Sequence, residues 1–212
     1  MQSSTNHHLE IINLACTRQD RRLFSGLNFT MTNSDILQIE GPNGSGKTSL
    51  LRMLCGLLLP EEGEIHWQGK DISRDRAPFL EDLIYIGHRP GIKDELTPRE
   101  NLNHICNLHG SKPDTDIDQA LKNVGLYGFE DVPVRTLSAG QKRRVALSRL
   151  LFSTARFWIL DEPFTALDKA GQSYIEKLLE QHSQNGGLIM ITTHQPLHLE
   201  NCNVKSVQLG NA

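Results

Sequence analysis

Short apolar runs separated by polar turns make up most of residues 9–40. The runs are "LEIINLAC", "LFSGLNFTM" and "DILQIE", and this pattern is typical of β-strands. Leucines at positions 50, 51, 54 and 58 then recur at helical spacing and predict one helix. After that helix, "LPEEGEIHWQGK" predicts a strand between two turns, and "DLIYIGH" predicts one more strand. The N-terminal part is therefore expected to be rich in β-structure.

Helical periodicity dominates between about residues 93 and 152. The stretch "TPRENLNHICNLHG" begins with a capping box, in which Thr97 is the N-cap and Glu100 reaches back to it. A second helix, "IDQALKNVGL", keeps its apolar positions on one face and ends at Gly125. A third helix begins at Ser138. We expect these helices to form a subdomain.

Two apolar strands enclose one helix in the last part of the chain. The strands are "RFWILDEP" and "GGLIMITTH", and the helix is "AGQSYIEKLLEQHS". This order of elements predicts an α/β fold, in which a helical subdomain is inserted into a mostly parallel sheet. We expect a single domain over residues 1–212, with sheets from 1–92 and 153–212 and a helical subdomain over about 93–152.

Composition and charge exclude several classes of protein. The chain has 212 residues and a formal net charge of −3, so it is not a basic protein that binds nucleic acid through bulk charge. The most apolar stretch, "LLRMLCGLLLP", contains Arg52 and is much shorter than the roughly 20 apolar residues that span a bilayer. The N-terminus "MQSSTNHHLEI" does not resemble a signal peptide. We therefore expect any membrane role to depend on a partner.

The cysteines and histidines do not have the spacing of metal ligands. The four cysteines are Cys16, Cys55, Cys106 and Cys202. They form no CxxC pair, and we expect reduced, buried thiols in a cytosolic protein. His104, Cys106 and His109 are close in sequence, but we do not expect a metal or haem site there.

A glycine-rich loop, "GPNGSGKTSL", matches the pattern GxxxxGK[ST] through Gly41, Gly46, Lys47 and Thr48. It follows a predicted strand and opens a predicted helix, which argues against a chance glycine-rich turn. Its backbone N–H groups can surround phosphates, Lys47 can reach the β- and γ-phosphates, and Thr48 can bind Mg²⁺. The loop residues predicted to bind ATP are Gly41, Pro42, Asn43, Gly44, Ser45, Gly46, Lys47, Thr48 and Ser49.

Two adjacent carboxylates follow the buried strand "FWIL". Asp161 lies at the carboxyl end of the strand, where open α/β sheets bind ligands, and we expect it to hold Mg²⁺ through water. We expect Glu162 to face elsewhere, because successive strand residues alternate in direction, and to polarise a water for attack on the γ-phosphate. An acidic turn without a function is the alternative for either residue alone.

His194 ends the apolar strand "LIMITTH". A histidine at a strand end is more often a surface residue than a catalytic one. Here the strand is expected to lie beside the strands that carry the phosphate loop and Asp161. We therefore predict that His194 contacts the γ-phosphate.

The stretch "TLSAGQKRRVALSRLLF" predicts a second anion-binding site, in addition to the phosphate loop. Ser138 is the expected N-cap, and small or polar residues in the first turn leave the helix N-terminus accessible to an anion. This helix belongs to the helical subdomain, so it is too far away to reach the phosphate held by its own chain. Two chains arranged head to tail would place each Ser138 at the partner's γ-phosphate, with two ATP molecules in the interface.

The chain resembles the ATP-binding-cassette (ABC) family along nearly its whole length. "LSAGQ", at Leu137, Ser138, Ala139, Gly140 and Gln141, resembles the signature LSGGQ. The phosphate loop, this signature, "ILDEP", the D-loop "ALD" ending at Asp168, and His194 follow in the family's order. The resemblance implies a P-loop NTPase core, an N-terminal antiparallel β part, ATP and Mg²⁺ as cofactors, and a homodimer in the ATP-bound state.

Three residues depart from the family's pattern. Ala139 replaces a glycine, and its methyl group is small enough for a phosphate to approach. His88 stands where the family has a glutamine that contacts Mg²⁺ and the attacking water, so the resemblance implies this role for His88. Arg18 stands where the family has an aromatic residue, and a guanidinium plane can stack on adenine.

Three stretches resemble a narrower group, the small ATPase subunit of the bacterial cytochrome c maturation system. They are "LACTRQDRRLFSGLNF", "ILQIEGPNGSGKTSLLRMLCGLL" and "YIGHRPGIKDELTPRENL". The resemblance implies integral membrane subunits as partners, no nucleic acid, and a peripheral position at the cytoplasmic face of the inner membrane. It also implies that ATP hydrolysis drives release of a haem-loaded periplasmic chaperone.

Three other functions are compatible with parts of this pattern. An ABC export ATPase for an unrelated substrate would differ in its membrane partner. A soluble, non-transport ABC ATPase could serve DNA repair or metal-cluster assembly, and the helical block, too short for a long coiled coil, argues against repair. A small-molecule kinase is disfavoured by "LSAGQ" and by the adjacent Asp161 and Glu162.

Overall fold

The computed structural model describes residues 8–109 and 116–210. The strands in these ranges are β1 (His8–Arg18), β2 (Arg21–Thr32), β3 (Ile36–Glu40), β4 (Glu62–Trp67), β5 (Lys70–Asp71), β6 (Leu83–Ile86), β7 (Phe157–Asp161), β8 (Leu188–Thr192) and β9 (Val204–Gln208). The α-helices are α1 (Lys47–Leu54), α2 (Ala77–Glu81), α3 (Pro98–His109), α4 (Ile117–Asn123), α5 (Ala139–Phe152) and α6 (Lys169–Gln184).

A five-stranded parallel sheet forms the centre of the fold, in the order β6-β7-β8-β3-β9. Every residue of β7 and β8 is buried, which explains why their sequences are continuously apolar. Because the strands are parallel, the carboxyl ends of β6, β7, β8 and β3 meet at one edge. These four ends and the segments that follow them carry most of the residues that the sequence predicts to be functional, whereas Arg18 and residues 137–141 lie elsewhere.

A four-stranded antiparallel sheet, in the order β2-β1-β4-β5, packs over helix α1 and one face of the parallel sheet. This arrangement confirms the predicted α/β fold with an N-terminal antiparallel part. Helix α1 is shorter than its leucine pattern indicates. Leu54 is its last residue, and Gly56 follows with a φ of 66°. Leu58 therefore lies beyond the helix and is 38% exposed.

The helical block has an apolar cluster of its own, to which α3, α4 and α5 contribute. The predicted capping box between Thr97 and Glu100 is present, and Ser138 is the N-cap of α5 as predicted. Ser138 also forms a capping box with Gln141, which was not predicted. Helix α5 also packs on the parallel sheet through its other buried residues. Thus α5 is the element that connects the helical block to the sheet.

Some elements were not predicted from the sequence. Helix α2, strand β5 and strand β9 have no clear apolar periodicity. Strand β9 is an edge strand whose residues are mostly exposed, so it lacks the apolar run of a central strand. It is fastened by the ion pair between Lys205 and Asp35, at 2.7 Å. In the parts of the chain described here, no helix has the length and apolar character needed to cross a bilayer.

The cysteines only partly match the expectation of buried thiols. All four are free, and Cys16 and Cys55 are buried, but Cys106 and Cys202 are half-buried. Burial, together with the negative charge of Asp161, raises the pKa of Cys55 to about 12, so this thiol stays protonated. Over the described ranges, no group of three or more His, Cys, Asp or Glu side chains is placed to hold a metal ion by itself. The side chain of His109 lies outside the described residues.

Candidate active site

The phosphate loop connects β3 to α1 and curls through positive φ angles. Gly41, Gly44 and Gly46 have φ values of 141°, 81° and 101°. A Cβ on Gly41 would lie 2.5 Å from the carbonyl oxygen of Leu209, so a side chain does not fit there. The Nζ of Lys47 donates to the carbonyl oxygen of Gly41 at 2.6 Å. The loop is therefore closed on itself, with its lysine folded over its first residue.

A cavity of about 680 Å³ opens beside this loop. It is lined by Arg18, Gln19, Arg21, Leu23, Asn43, Gly44, Gly46, Lys47, Thr48, Ser49, His88, Asp161, Glu162, Thr165 and His194. The cavity thus brings together residues from the ends of four parallel strands and from the β1–β2 turn. Its volume lies within the usual range of a small-ligand site.

Asp161 is fixed by two hydroxyl groups on neighbouring elements. Its Oδ1 accepts from Thr192 Oγ1 at 2.8 Å, and its Oδ2 accepts from Thr48 Oγ1 at 3.2 Å. Asp161 and Thr192 face each other across the β7–β8 pair. A threonine hydroxyl and a carboxylate side by side are the oxygen ligands that Mg²⁺ prefers. The residues present therefore fit a magnesium ion.

Glu162 does not follow the expected alternation. The strand ends at Asp161, and Glu162 has a φ of 51°, so both residues line the same cavity. The backbone N–H of Glu162 donates to the carbonyl oxygen of Thr192 at 3.1 Å. Its Oε1 lies 3.5 Å from Nε2 of His194, too far for a good hydrogen bond, and is buried without a hydrogen-bond partner among the described residues. Such a carboxylate oxygen can accept a proton from a bound water.

The residues 137–141 lie apart from this cavity. Ser138 caps α5, and a Cβ on Gly140 would lie 2.5 Å from the carbonyl oxygen of Ala166. Asp168 caps α6 through the N–H of Gly171 and pairs with Arg144 at 2.6 Å. Among the described residues, neither Asp168 nor any residue of 137–141 lines the cavity. One chain alone does not bring the two predicted anion sites together.

The predicted base-binding residue, Arg18, does line the cavity. It ends β1, and the turn that follows contains Gln19 and Asp20, both with positive φ. Gln19 and Arg21 line the cavity as well. No Phe, Tyr or Trp side chain is among the described residues that line it. An adenine there would meet guanidinium and amide groups.

The sequence of this chain matches the model of a known protein family. The model of the ABC transporter family matches residues 24–165, a range that includes the phosphate loop, residues 137–141 and the two carboxylates. The chain belongs to the ABC transporter family. Residues 137–141 lie inside the matched range but outside the cavity.

Several curated relatives of this ABC protein share one name, cytochrome c biogenesis ATP-binding export protein CcmA. The relative from Methylococcus capsulatus is 55% identical over 185 residues, which is 87% of this chain and 89% of that protein. The one from Yersinia pestis is 52% identical over 203 residues, 96% and 93% of the two chains. The one from Pseudomonas fluorescens is 49% identical over 207 residues, 98% of each.

Solved structures of ABC proteins share the fold. A putative ABC transporter ATP-binding protein from Pyrococcus furiosus has a TM-score of 0.78 at 25% identity, covering 95% of this chain and 97% of that chain. An ATP-binding subunit of an ABC transporter has a TM-score of 0.83 at 22% identity, covering 96% and 86%. These structures support the architecture of a P-loop ABC ATPase.

Two residues of this ABC site were not found from the sequence. Thr192 orients Asp161, and the sequence offered a signal for it, since it lies two residues before His194 on the strand expected beside the site. Arg143 is buried and donates to backbone carbonyls around the carboxylates. Burial lowers the pKa of Arg143, and the charges of Asp161 and Glu162 partly offset this effect. Its sequence neighbours, Lys142 and Arg144, are also basic, so the sequence does not indicate that Arg143 is the one that is buried.

Proposed function

We propose that this chain is the ATP-hydrolysing subunit of a membrane ABC complex that serves cytochrome c maturation. Its hydrolysis would drive release of a haem-loaded periplasmic chaperone. The observation that carries the proposal is the identity of about half the residues, along nearly the whole chain, with relatives named for cytochrome c biogenesis export. An ABC export ATPase for an unrelated substrate is the second candidate.

The phosphate loop would hold ATP in this proposal. Backbone N–H groups of residues 43–49 would surround the β- and γ-phosphates, and Lys47 would leave the carbonyl of Gly41 to pair with them. Thr48 and Asp161 would hold Mg²⁺, whose charge neutralises the phosphate oxygens as the bond breaks. Arg18 stacks on the adenine.

Hydrolysis needs a water in line with the γ-phosphate. Oε1 of Glu162 orients this water and takes its proton, because this oxygen is buried beside the phosphate loop and has no hydrogen-bond partner within the described ranges. His194 lies within 3.5 Å of that oxygen and would contact the γ-phosphate. His88 approaches from the end of β6 and would help to place the water or Mg²⁺. The products are ADP and inorganic phosphate.

The signature would act in a second copy of the chain. Unpaired N–H groups at the N-terminus of α5 would bind the partner's γ-phosphate, and the helix dipole favours that charge. The separation of residues 137–141 from the cavity of their own chain supports this arrangement. Two ATP molecules would then hold a head-to-tail homodimer together.

A groove lined by apolar residues would receive the membrane subunits. It is a cavity of about 680 Å³ between the sheet and the helical block, next to β6. Leu57 and Leu80 line it, and they are 60% and 44% exposed; Leu59 nearby is 72% exposed. Exposed apolar surface of this kind is typical of an interaction site. We propose a cytosolic segment of a membrane subunit as its occupant, because β6 leads directly to His88.

The proposal puts the chain at the cytoplasmic face of the bacterial inner membrane, held there by its partners. The test is to solubilise membranes and identify the proteins that co-purify with the full chain. We expect integral membrane subunits of cytochrome c maturation, and loss of c-type cytochromes when the gene is deleted. Normal c-type cytochromes in the deletion strain, with a different transporter subunit co-purifying, would support the second candidate instead.

Lys47→Ala should fail at ATP binding. The variant loses the one flexible cation that faces the β- and γ-phosphates, and a charge-assisted contact of this kind contributes about 1.5–3 kcal/mol, or roughly tenfold or more in affinity. Isothermal titration with ATP and Mg²⁺ measures the loss. Lys70→Ala, on strand β5 of the antiparallel sheet, is the control. Unchanged ATP affinity in Lys47→Ala would show that Lys47 does not bind the phosphates.

The segment from Arg89 to Leu96 should couple hydrolysis to the partner. Ile92 packs against both the sheet and the helical cluster, and Leu96 accepts a backbone bond from Val134 at 2.9 Å. Ile92→Ala and Leu96→Ala should keep basal hydrolysis but lower c-type cytochrome yield about fivefold or more, in the range of a typical coupling energy. Parallel loss of both activities in folded variants would show that the segment, with its Pro90–Gly91 turn, is only structural.

A further inference from the structure

Arg143 is a buried arginine whose guanidinium contacts two separate segments of the site. The residue is 4% exposed and lies near the N-terminal end of α5. One terminal nitrogen donates to the carbonyl oxygen of Gly87 at 2.7 Å. The other donates to the carbonyl oxygens of Asp161 and Glu162, both at 2.8 Å. Its Nε donates to the carbonyl oxygen of Pro163 at 3.2 Å.

These four hydrogen bonds connect parts of the site that have different roles. Gly87 immediately precedes His88, so one bond holds the segment that carries His88. Asp161, Glu162 and Pro163 form the turn that carries the water-binding carboxylate. Arg143 itself lies five residues after Ser138, on the helix that would reach across to the other chain. The guanidinium is thus a single rigid connection between the signature and both catalytic segments.

Only an arginine can make this set of contacts. Its planar guanidinium carries five N–H donors in a fixed fork and remains protonated in proteins. The carboxylates of Asp161 and Glu162 are the acidic groups whose charge acts on it, and the hydroxyl of Tyr85 is the other titratable neighbour. A lysine has a single ammonium and cannot donate to four carbonyl oxygens on two separate segments in this fixed arrangement.

We propose that Arg143 is a positioning residue that transmits engagement of the signature helix to Glu162 and His88 of its own chain. This inference rests on the proposed function. When the N-terminus of α5 binds the partner's γ-phosphate, the connection fixes the turn at Glu162 and the residue before His88. Each ATP site in the dimer would therefore be set by the closure of the other.

The test compares Arg143→Lys and Arg143→Gln with Arg76→Lys and Arg76→Gln. Arg76 is also partly buried, but it donates to one carbonyl oxygen, that of Gly56 at 3.0 Å, which lies outside the ATP cavity. ATPase rate, ATP affinity and melting temperature are measured on the full chain, alone and in its membrane complex. We expect kcat of Arg143→Lys to fall about tenfold to a hundredfold, as for a small misplacement of catalytic groups, with ATP affinity within about threefold. Arg76→Lys should change neither.

A merely structural role would give a different result. If kcat and ATP affinity of Arg143→Lys fell together with melting temperature, or if kcat stayed within about threefold of wild type, the proposal would be wrong. Hydrogen exchange of the wild type gives a second test that needs no variant. Binding of ATP and Mg²⁺ should raise amide protection in residues 85–92, 138–143 and 161–165 together, and protection of one segment alone would also overturn it. A wild type that binds ATP but never hydrolyses it would instead contradict the proposed function.

Discussion

Glu162→Gln should bind ATP as the wild type does and hydrolyse it about 10²–10⁴-fold more slowly, the range for loss of a general base. The glutamine amide keeps the size of the side chain but cannot take a proton from water. Asp161, Thr48 and Lys47, which would hold Mg²⁺ and the phosphates, are unchanged. Because ATP then remains intact in the interface, we expect the variant to accumulate as a closed dimer.

Two measurements on Glu162→Gln check this expectation. Single-turnover release of inorganic phosphate reports the chemical step, and light scattering with ATP and Mg²⁺ reports the size of the particle. Glu176→Gln is the matched control, because Glu176 lies on α6 and accepts a bond from the backbone of His198 outside the cavity. Hydrolysis near the wild-type rate in Glu162→Gln would show that Glu162 is not the general base.

Ser138→Arg should abolish ATP-dependent dimerisation and leave ATP binding by the single chain intact. A long cation at the N-cap fills the space that the partner's γ-phosphate needs and opposes the helix dipole. It also removes the cap bond that Ser138 Oγ accepts from Gln141 N at 3.2 Å. Losing that cap costs about 0.5–2 kcal/mol of stability, too little to unfold the domain.

The control for Ser138→Arg is a variant in which another N-cap residue is replaced by arginine. Asp116→Arg does both, because Asp116 caps α4 by accepting from the N–H groups of Asp118 and Gln119. This variant should still form the ATP-bound dimer. Both variants are compared by ATP titration and by sedimentation with and without ATP and Mg²⁺. Dimer formation by Ser138→Arg at the wild-type ATP concentration would show that this helix end does not meet the partner's nucleotide.

The parts of the site that are local in sequence could be predicted. The phosphate loop is one continuous stretch between a strand and a helix, and its glycines and lysine have a fixed spacing. Asp161 and His194 could be placed because continuous apolar runs mark buried parallel strands, and such strands end at a common edge. The capping box at Thr97 and the N-cap at Ser138 could also be predicted, since each depends on residues within one helical turn.

The rest depends on contacts between distant residues. Lys142, Arg143 and Arg144 look alike in sequence, yet Lys142 pairs with Asp94, Arg144 pairs with Asp168, and Arg143 is buried. Only the packing of α5 against the sheet decides which one turns inward.

The predicted direction of the Glu162 side chain was wrong because of the backbone geometry at that residue. Glu162 was expected to face away from Asp161, but its positive φ turns it into the same cavity. A glutamate rarely adopts that conformation, so the sequence did not predict it.

The most direct test of a composite ATP site uses two mixed dimers with different affinity tags. In the first, one chain carries Lys47→Ala and the other carries Ser138→Arg. Composite geometry puts both changes in one site, where the arginine faces a loop without ATP, and leaves the second site intact. In the second dimer, one chain carries both changes and the other is wild type, so each composite site has one defect. We predict ATP hydrolysis by the first dimer and none by the second. Hydrolysis by the second and none by the first would contradict the composite site, because each chain would then be hydrolysing ATP with its own signature.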